Sequence, residues 1–137
     1  MTTLLEEFQQ LPTTLGVSLG PGFVAKMPAA PDRCFVVARY GGRESSLGDN
    51  YDEPSIQYRL RSPAADVRIA EADAERLYDA LHGLGPYTLP GGTFLLLAVG
   101  VQSGPIFIGQ DANGRPEYTI NLRCEISRTS TNRENPQ

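Results

Sequence analysis

The chain has 137 residues, 40% of them hydrophobic and 8% aromatic, an ordinary globular composition. A single domain of this length buries roughly two-thirds of its unfolded surface. A net charge of −4 and a pI near 4.9 argue against broad electrostatic attraction to nucleic acid. The two cysteines, Cys34 and Cys124, have no short spacing motif and fall in apolar runs, so they read as buried, reduced thiols. The N-terminus lacks a basic start followed by an apolar core, and no run reaches the ~18 apolar residues needed to span a bilayer. The expectation is a chain made and folded in a cytoplasm, with no membrane partner.

Residues 3–11 predict a short amphipathic helix. Thr3 is a cap with Glu6 as its capping-box partner, Leu4, Leu5, Phe8 and Leu11 form one stripe, and Pro12 is expected to end it. Residues 16–32 are rich in Gly and Pro, with one candidate strand at 23–27. The Gly20-Pro-Gly-Phe-Val-Ala25 segment has neither a strand before it nor a helix after it, so it reads as a turn rather than a dinucleotide loop. Residues 34–40 (CFVVARY) are β-branched and aromatic enough for a strand. A long polar loop is expected over 41–54. Its acids Asp49, Asp52 and Glu53 lack the alternating ligand ladder of a calcium loop.

Residues 55–61 (SIQYRLR) alternate, with Ile56, Tyr58 and Leu60 on one face and Gln57, Arg59 and Arg61 on the other. The two arginines suit a solvated or subunit-facing sheet surface, or a phosphate or carboxylate ligand. Ser62-Pro63 predicts the start of the main helix, which runs to about His82 with Ile69, Ala70, Ala74, Leu77, Tyr78 and Leu81 on its buried face. Gly83 and Gly85-Pro86 end it. A short strand is expected at 87–89. Residues 93–101 are apolar on both parities, the pattern of a central strand covered on both faces. The main helix covers one face, and the N-terminal segment or a neighbouring subunit the other.

The final stretch, 101–127, reads as a strand at 105–108, a turn around Asn113-Gly114, and a long last strand. In that strand Tyr118, Ile120, Leu122, Cys124 and Ile126 share the buried parity, expected to pack on Leu77 and Leu81 of the main helix. Residues 128–137 contain no apolar side chain and are expected to form a polar, mobile tail after a single 1–127 domain. The predicted class is α+β: a mixed, mainly antiparallel sheet with one main and one short N-terminal helix packed on it.

No constellation for chemistry stands out. His82 is the single histidine, at a helix end, and no Walker loop, His-x-x-x-His or Cys-x-x-Cys occurs. The expectation is no enzyme, no metal and no cofactor. Nothing basic and helical suggests nucleic-acid reading.

Several segments taken in order resemble the phage tail terminator family. They are Pro31-Asp32 before a strand, Pro54-Ser-Ile-Gln-Tyr-Arg-Leu-Arg-Ser62, the Ala-rich helix ending Leu77-Tyr-Asp-Ala-Leu-His-Gly83, and the ending with Gln102, Pro105, Ile106, Gly109, Asp111, Gly114, Arg115 and Asn121. The series spans roughly residues 4–127. The resemblance implies a virion protein, assembled in a host cytoplasm into a ring, usually of six subunits. Such a ring caps the head-proximal end of the tail tube and joins it to the head–tail connector or stopper. Its partners would be itself, the tube protein and the connector, with DNA passing through the lumen without specific binding. Candidate subunit-interface residues are Arg59, Arg61, Arg123, Asp111 and Arg115, with loops 41–54 and 103–116 meeting neighbours. Two alternatives remain: a neck protein on the head side of the connector, and a small ligand-binding or catalytic α/β domain.

Overall fold

A computed structural model of the chain describes residues 2–133; the last four residues of the expected tail lie outside it. The longest strand is the organising element. β8 (Pro116–Ser127) is flanked on both sides by strands that each run along it in two pieces. On one side are β3 (Tyr51–Asp52) and β4 (Pro54–Arg61); on the other are β6 (Phe94–Gly100) and β7 (Ile106–Gln110). β2 (Cys34–Gly42) pairs with β4, β1 (Gly22–Val24) lies parallel to β2, and the two-residue β5 (Tyr87–Thr88) pairs with β6. The order is β1-β2-β4-β8-β6-β5, with only the β1–β2 pair parallel. The class is therefore α+β, with a mixed, mainly antiparallel sheet.

Both helices pack on the same face. α2 (Val67–Leu81) buries Ala70, Ala74, Leu77 and Leu81 against β8, whose Ile120, Leu122, Cys124 and Ile126 are fully enclosed, with Tyr118 half-buried beside them. Ile56, Tyr58 and Leu60 of β4 extend the same layer. α1 (Leu4–Thr14) adds Leu4, Phe8 and Leu11. Each fully buried aliphatic side chain contributes about 1.5–3 kcal/mol, so this layer is the main source of stability. Glu7, also buried, fastens α1 to the β5–β6 turn by accepting from Thr93 N–H (3.0 Å) and Thr93 Oγ1 (2.5 Å).

The structure departs from the sequence reading at several points. α1 continues through Pro12 to Thr14, because the carbonyl that Pro12 cannot serve, that of Phe8, accepts instead from Tyr58 Oη at 2.5 Å. α2 starts at Val67, capped by Asp66, and not at Ser62. The Ser62 hydroxyl is already donated to the Asp66 carbonyl, and residues 63–66 close a turn first. Ile69 is only half-buried. The expected 41–54 loop is shorter, since β2 extends to Gly42 and β3 forms at Tyr51. The candidate strand at 23–27 is confined to Gly22–Val24. β6 is not covered on both faces: Leu95 and Ala98 are buried, whereas Phe94 and Leu96 are exposed. Arg61 is buried despite sharing the parity of Gln57.

Candidate functional site

Because both helices sit on one face, the other face of the sheet is left without a helical layer. Its centre is polar. Register places Gln57 opposite Asn121, and Gln57 Nε2 donates to Asn121 Oδ1 (2.9 Å) while Asn121 Nδ2 donates to Gln102 Oε1 (2.8 Å). This amide ladder crosses β4 and β8 and reaches the β6–β7 connection. On one side of it Arg59 Nε lies 3.2 Å from Glu117 Oε1. That approach is off-axis for a hydrogen bond, and the buried Nε has no hydrogen-bond partner among the described residues. On the other side Arg123 pairs with Glu125 (2.6 Å) and Glu53 (3.5 Å). Glu53 also binds Arg43 and the Tyr51 hydroxyl, each at 2.9 Å. The Tyr51 hydrogen bond, with help from the arginines, holds the Glu53 carboxyl below its ordinary range. The Tyr51 phenol is pushed up to about 12, chiefly by burial.

Arg61, Arg115 and Asp111 form a separate corner. Arg61 donates to the carbonyls of Pro31 (2.8 Å) and Asp32 (3.1 Å). Arg115 reaches Ala29 O (2.6 Å), Asp32 (3.1 Å) and Asp111 (2.8 Å). Asp111 Oδ1 accepts from the N–H groups of Arg115 (3.0 Å) and Asn113 (2.9 Å), closing the β7–β8 turn in which Gly114 has φ +76°. Those backbone bonds, with Arg115, keep the Asp111 carboxyl below its ordinary range. The guanidinium groups of Arg61 and Arg115 are thus occupied by their own chain. They hold residues 29–32 across the end of the open face.

The rim beside β6 and β7 is apolar. Leu96, Val101, Ile106, Phe107 and Ile108 are all exposed, and Phe107 packs against Tyr118 in a tilted pair with ring centres 5.4 Å apart. Tyr78 of α2 lies over this connection and donates to Gln102 O (2.7 Å). Only a glycine fits beneath it, since a Cβ on Gly100 would come within 2.4 Å of the Tyr78 ring.

The groups with reaction chemistry are placed elsewhere. His82 is exposed, stacks on Tyr78, and its Nδ1 accepts from Gly100 N–H (2.9 Å). Burial raises both thiols, Cys124 to about 12, so both are protonated and poorly nucleophilic at neutral pH. No group of three or more His, Cys, Asp or Glu side chains among the described residues is placed to hold a metal. No described helix is long and apolar enough to cross a membrane.

The family model described as "Bacteriophage tail terminator protein" matches residues 6–128. The chain belongs to the bacteriophage tail terminator family. It is accordingly a structural virion protein. A solved chain from the virion of a native gene transfer agent particle shares the fold, with a TM-score of 0.56 and 16% identity, over 89% of this chain and 92% of that one. No curated protein matches.

In this tail terminator the residues quoted from the sequence separate into three places. Gln57, Asn121, Gln102, Arg59 and Arg123 share the open face; Arg61, Asp111 and Arg115 share the corner; Pro105 and Ile106 belong to the apolar rim. Sequence reasoning missed Glu53 as the hub of an ion-pair network and Asp73 as the buried anchor of Arg33 and Arg76. Asp73 had a signal: it stands one position before Ala74 on the helix's apolar stripe, where a charge is stable only with partners.

Proposed function

We propose that this tail terminator assembles as a ring of six that caps the head-proximal end of the tail tube and joins it to the head–tail connector. The observation that carries this reading is a family match over nearly the whole chain, combined with a sheet whose second face carries no helix among the described residues and whose β6–β7 rim is apolar and exposed. The open face at Arg59 and Arg123 and the hairpin tip at Asp111 and Arg115 are the proposed contacts with neighbouring subunits or adjoining rings, with Arg61 holding that corner from inside. The Arg59 side chain donates no hydrogen bond among the described residues and has Glu117 as its ion-pair partner. Loops 41–54 and 103–116 flank these surfaces.

Six copies of a −4 chain give 6 × −4 = −24. A ring of that charge suits a bore through which DNA moves without being held, because phosphate contacts by Lys and Arg are what make DNA binding tight. The test is electron microscopy of particles produced with the gene deleted. Tails of uncontrolled length without heads are the expected result. Normal tails joined to heads would overturn the proposal, and heads lacking only their neck would move the protein to the head side.

A further inference from the structure

The two borders of the sheet differ, and each has what the other lacks. Along β6 and β7 the strand edge carries Leu96, Val101, Ile106, Phe107 and Ile108 in the open. From Ala80 to Gln110 the chain contains no Asp, Glu, Lys or Arg. Apolar edge strands without charged guards are sites of pairing with another chain, and monomeric proteins block them. Beside this edge runs one row of α2: Glu71 and Glu75 continue into Tyr78 and His82, which touch the β6–β7 connection. Glu71 lies near enough to Tyr118 to add to the effect of burial in raising its phenol. Glu71, Glu75 and Asp79 stand at i, i+4 and i+8, where like charges repel, and none has an ion-pair partner among the described residues.

At the opposite border, β1 covers β2 only through Val37, after which Ala25 N–H bonds the Val37 carbonyl (2.8 Å) and the chain turns away. Among the described residues, none forms a strand beside residues 38–42 on that side. Val24 and Tyr40 are exposed there. Lys26 and Arg39 sit beside them, and among the described residues they are the two cations with no carboxylate within ion-pair distance. Every other Lys or Arg has one.

We infer that the β6–β7 edge of one copy seats against the β1–β2 edge of the next, with Ile106, Phe107 and Ile108 meeting Val24 and Tyr40 and the Glu71–Glu75 row facing Lys26 and Arg39. The occupant is a second copy because both halves of the match are on this one chain. Two different patches joined head-to-tail generate a closed ring when the rotation closes. The inference rests on the proposed ring and assigns its subunit contact.

The test is oxidative cross-linking of full-length protein carrying single new cysteines, Tyr40→Cys and Ile108→Cys; the native thiols are buried. A disulfide requires Cα atoms within about 7 Å, so it reports direct contact. The expected result is cross-linked dimer only when the two variants are mixed, and a ladder of multimers from the double variant. Adding Lys26→Glu and Arg39→Glu to the Tyr40→Cys protein is expected to lower the yield about tenfold. Glu71→Lys with Glu75→Lys in its partner should restore it. Cross-linking of Ile108→Cys alone would mean a symmetric contact and overturn the inference. So would a mixture that gives no cross-link, whether the wild-type protein forms rings or stays monomeric at high concentration. Rings without this cross-link leave the proposed function standing, whereas the cross-link together with normal tails in the gene deletion removes the function and leaves the contact.

Discussion

Tyr58→Phe isolates the one hydrogen bond that lets α1 run through a proline. Pro12 has no N–H, so the Phe8 carbonyl loses its partner one helical turn on. Both Phe8 and Tyr58 are fully buried, which excludes water as a substitute, and Tyr58 Oη donates to Phe8 O at 2.5 Å. Deleting the hydroxyl leaves a buried carbonyl unpaired while the ring still fills its space. The expected cost is about 1–3 kcal/mol, a fall in Tm of about 3–10 °C for a domain of this size. Burial raises the Tyr58 phenol well above its ordinary value, so the donor proton is present across the physiological range.

A double-mutant cycle separates this bond from general packing. Pro12→Ala restores an N–H that can reach the Phe8 carbonyl, so in that background Tyr58→Phe should cost less, with a coupling energy of about 0.5–2 kcal/mol. Urea unfolding of the four proteins gives the number directly. Equal costs in both backgrounds, or a loss below about 0.5 kcal/mol in the wild type, would refute the reasoning.

Two further outcomes follow from titrating groups and turn chemistry. The Cys124 thiol is raised by burial from 9.0 to about 12; a raised folded pKa contributes stability that is complete below pH 9 and lost as pH climbs toward 12. Denaturant midpoints between pH 8 and 11 should therefore fall less steeply in Cys124→Ala than in the wild type, and equal slopes would count against this origin. Asp111→Ala removes the acceptor of two turn N–H groups and of Arg115, and should lower the denaturant midpoint at neutral pH. Because the Asp111 pKa is depressed, its contribution is present above its unfolded value and lost as pH falls through the folded one, so the variant should be less acid-sensitive than the wild type.

The strands and the core were legible where one physical constraint dominates. In β4 and β8 one face must be buried, and the period-two pattern of Ile56, Tyr58, Leu60 and of Ile120 to Ile126 follows from that alone. The helix boundaries were less so, because local signals compete. Ser62-Pro63 has the composition of a helix start, yet Ser62 N–H bonds Pro116 O and its hydroxyl bonds Asp66 O. Ser62 is thereby tied to the end of β4, and the cap passes to Asp66. Pro12 reads as a stop signal only if the Phe8 carbonyl has nowhere else to go, and its partner is 50 residues away in sequence.

The candidate contact surfaces were harder to read because they are properties of register and of leftovers. Gln57, Asn121 and Gln102 form a ladder only if β4, β8 and the β6–β7 connection align, and a slip of one residue would send Gln57 or Asn121 to the helix face. The arginines looked alike in sequence, yet Arg61 is enclosed while Arg59 and Arg123 stay on the open face; the difference is made by residues 29–32, which fold over one and not the others. Lys26 and Arg39 carry no signal at all until the rest of the charges have been paired. Of the chain's 12 Lys and Arg residues, ten find carboxylates among the described residues, and the other two are both on one border of the sheet. Under the proposed ring contact each of these surfaces is recognised by another copy of the chain, which needs no sequence motif. What marks such a surface is unspent capacity: apolar area without cover, a strand edge without a neighbour, and charge without a partner.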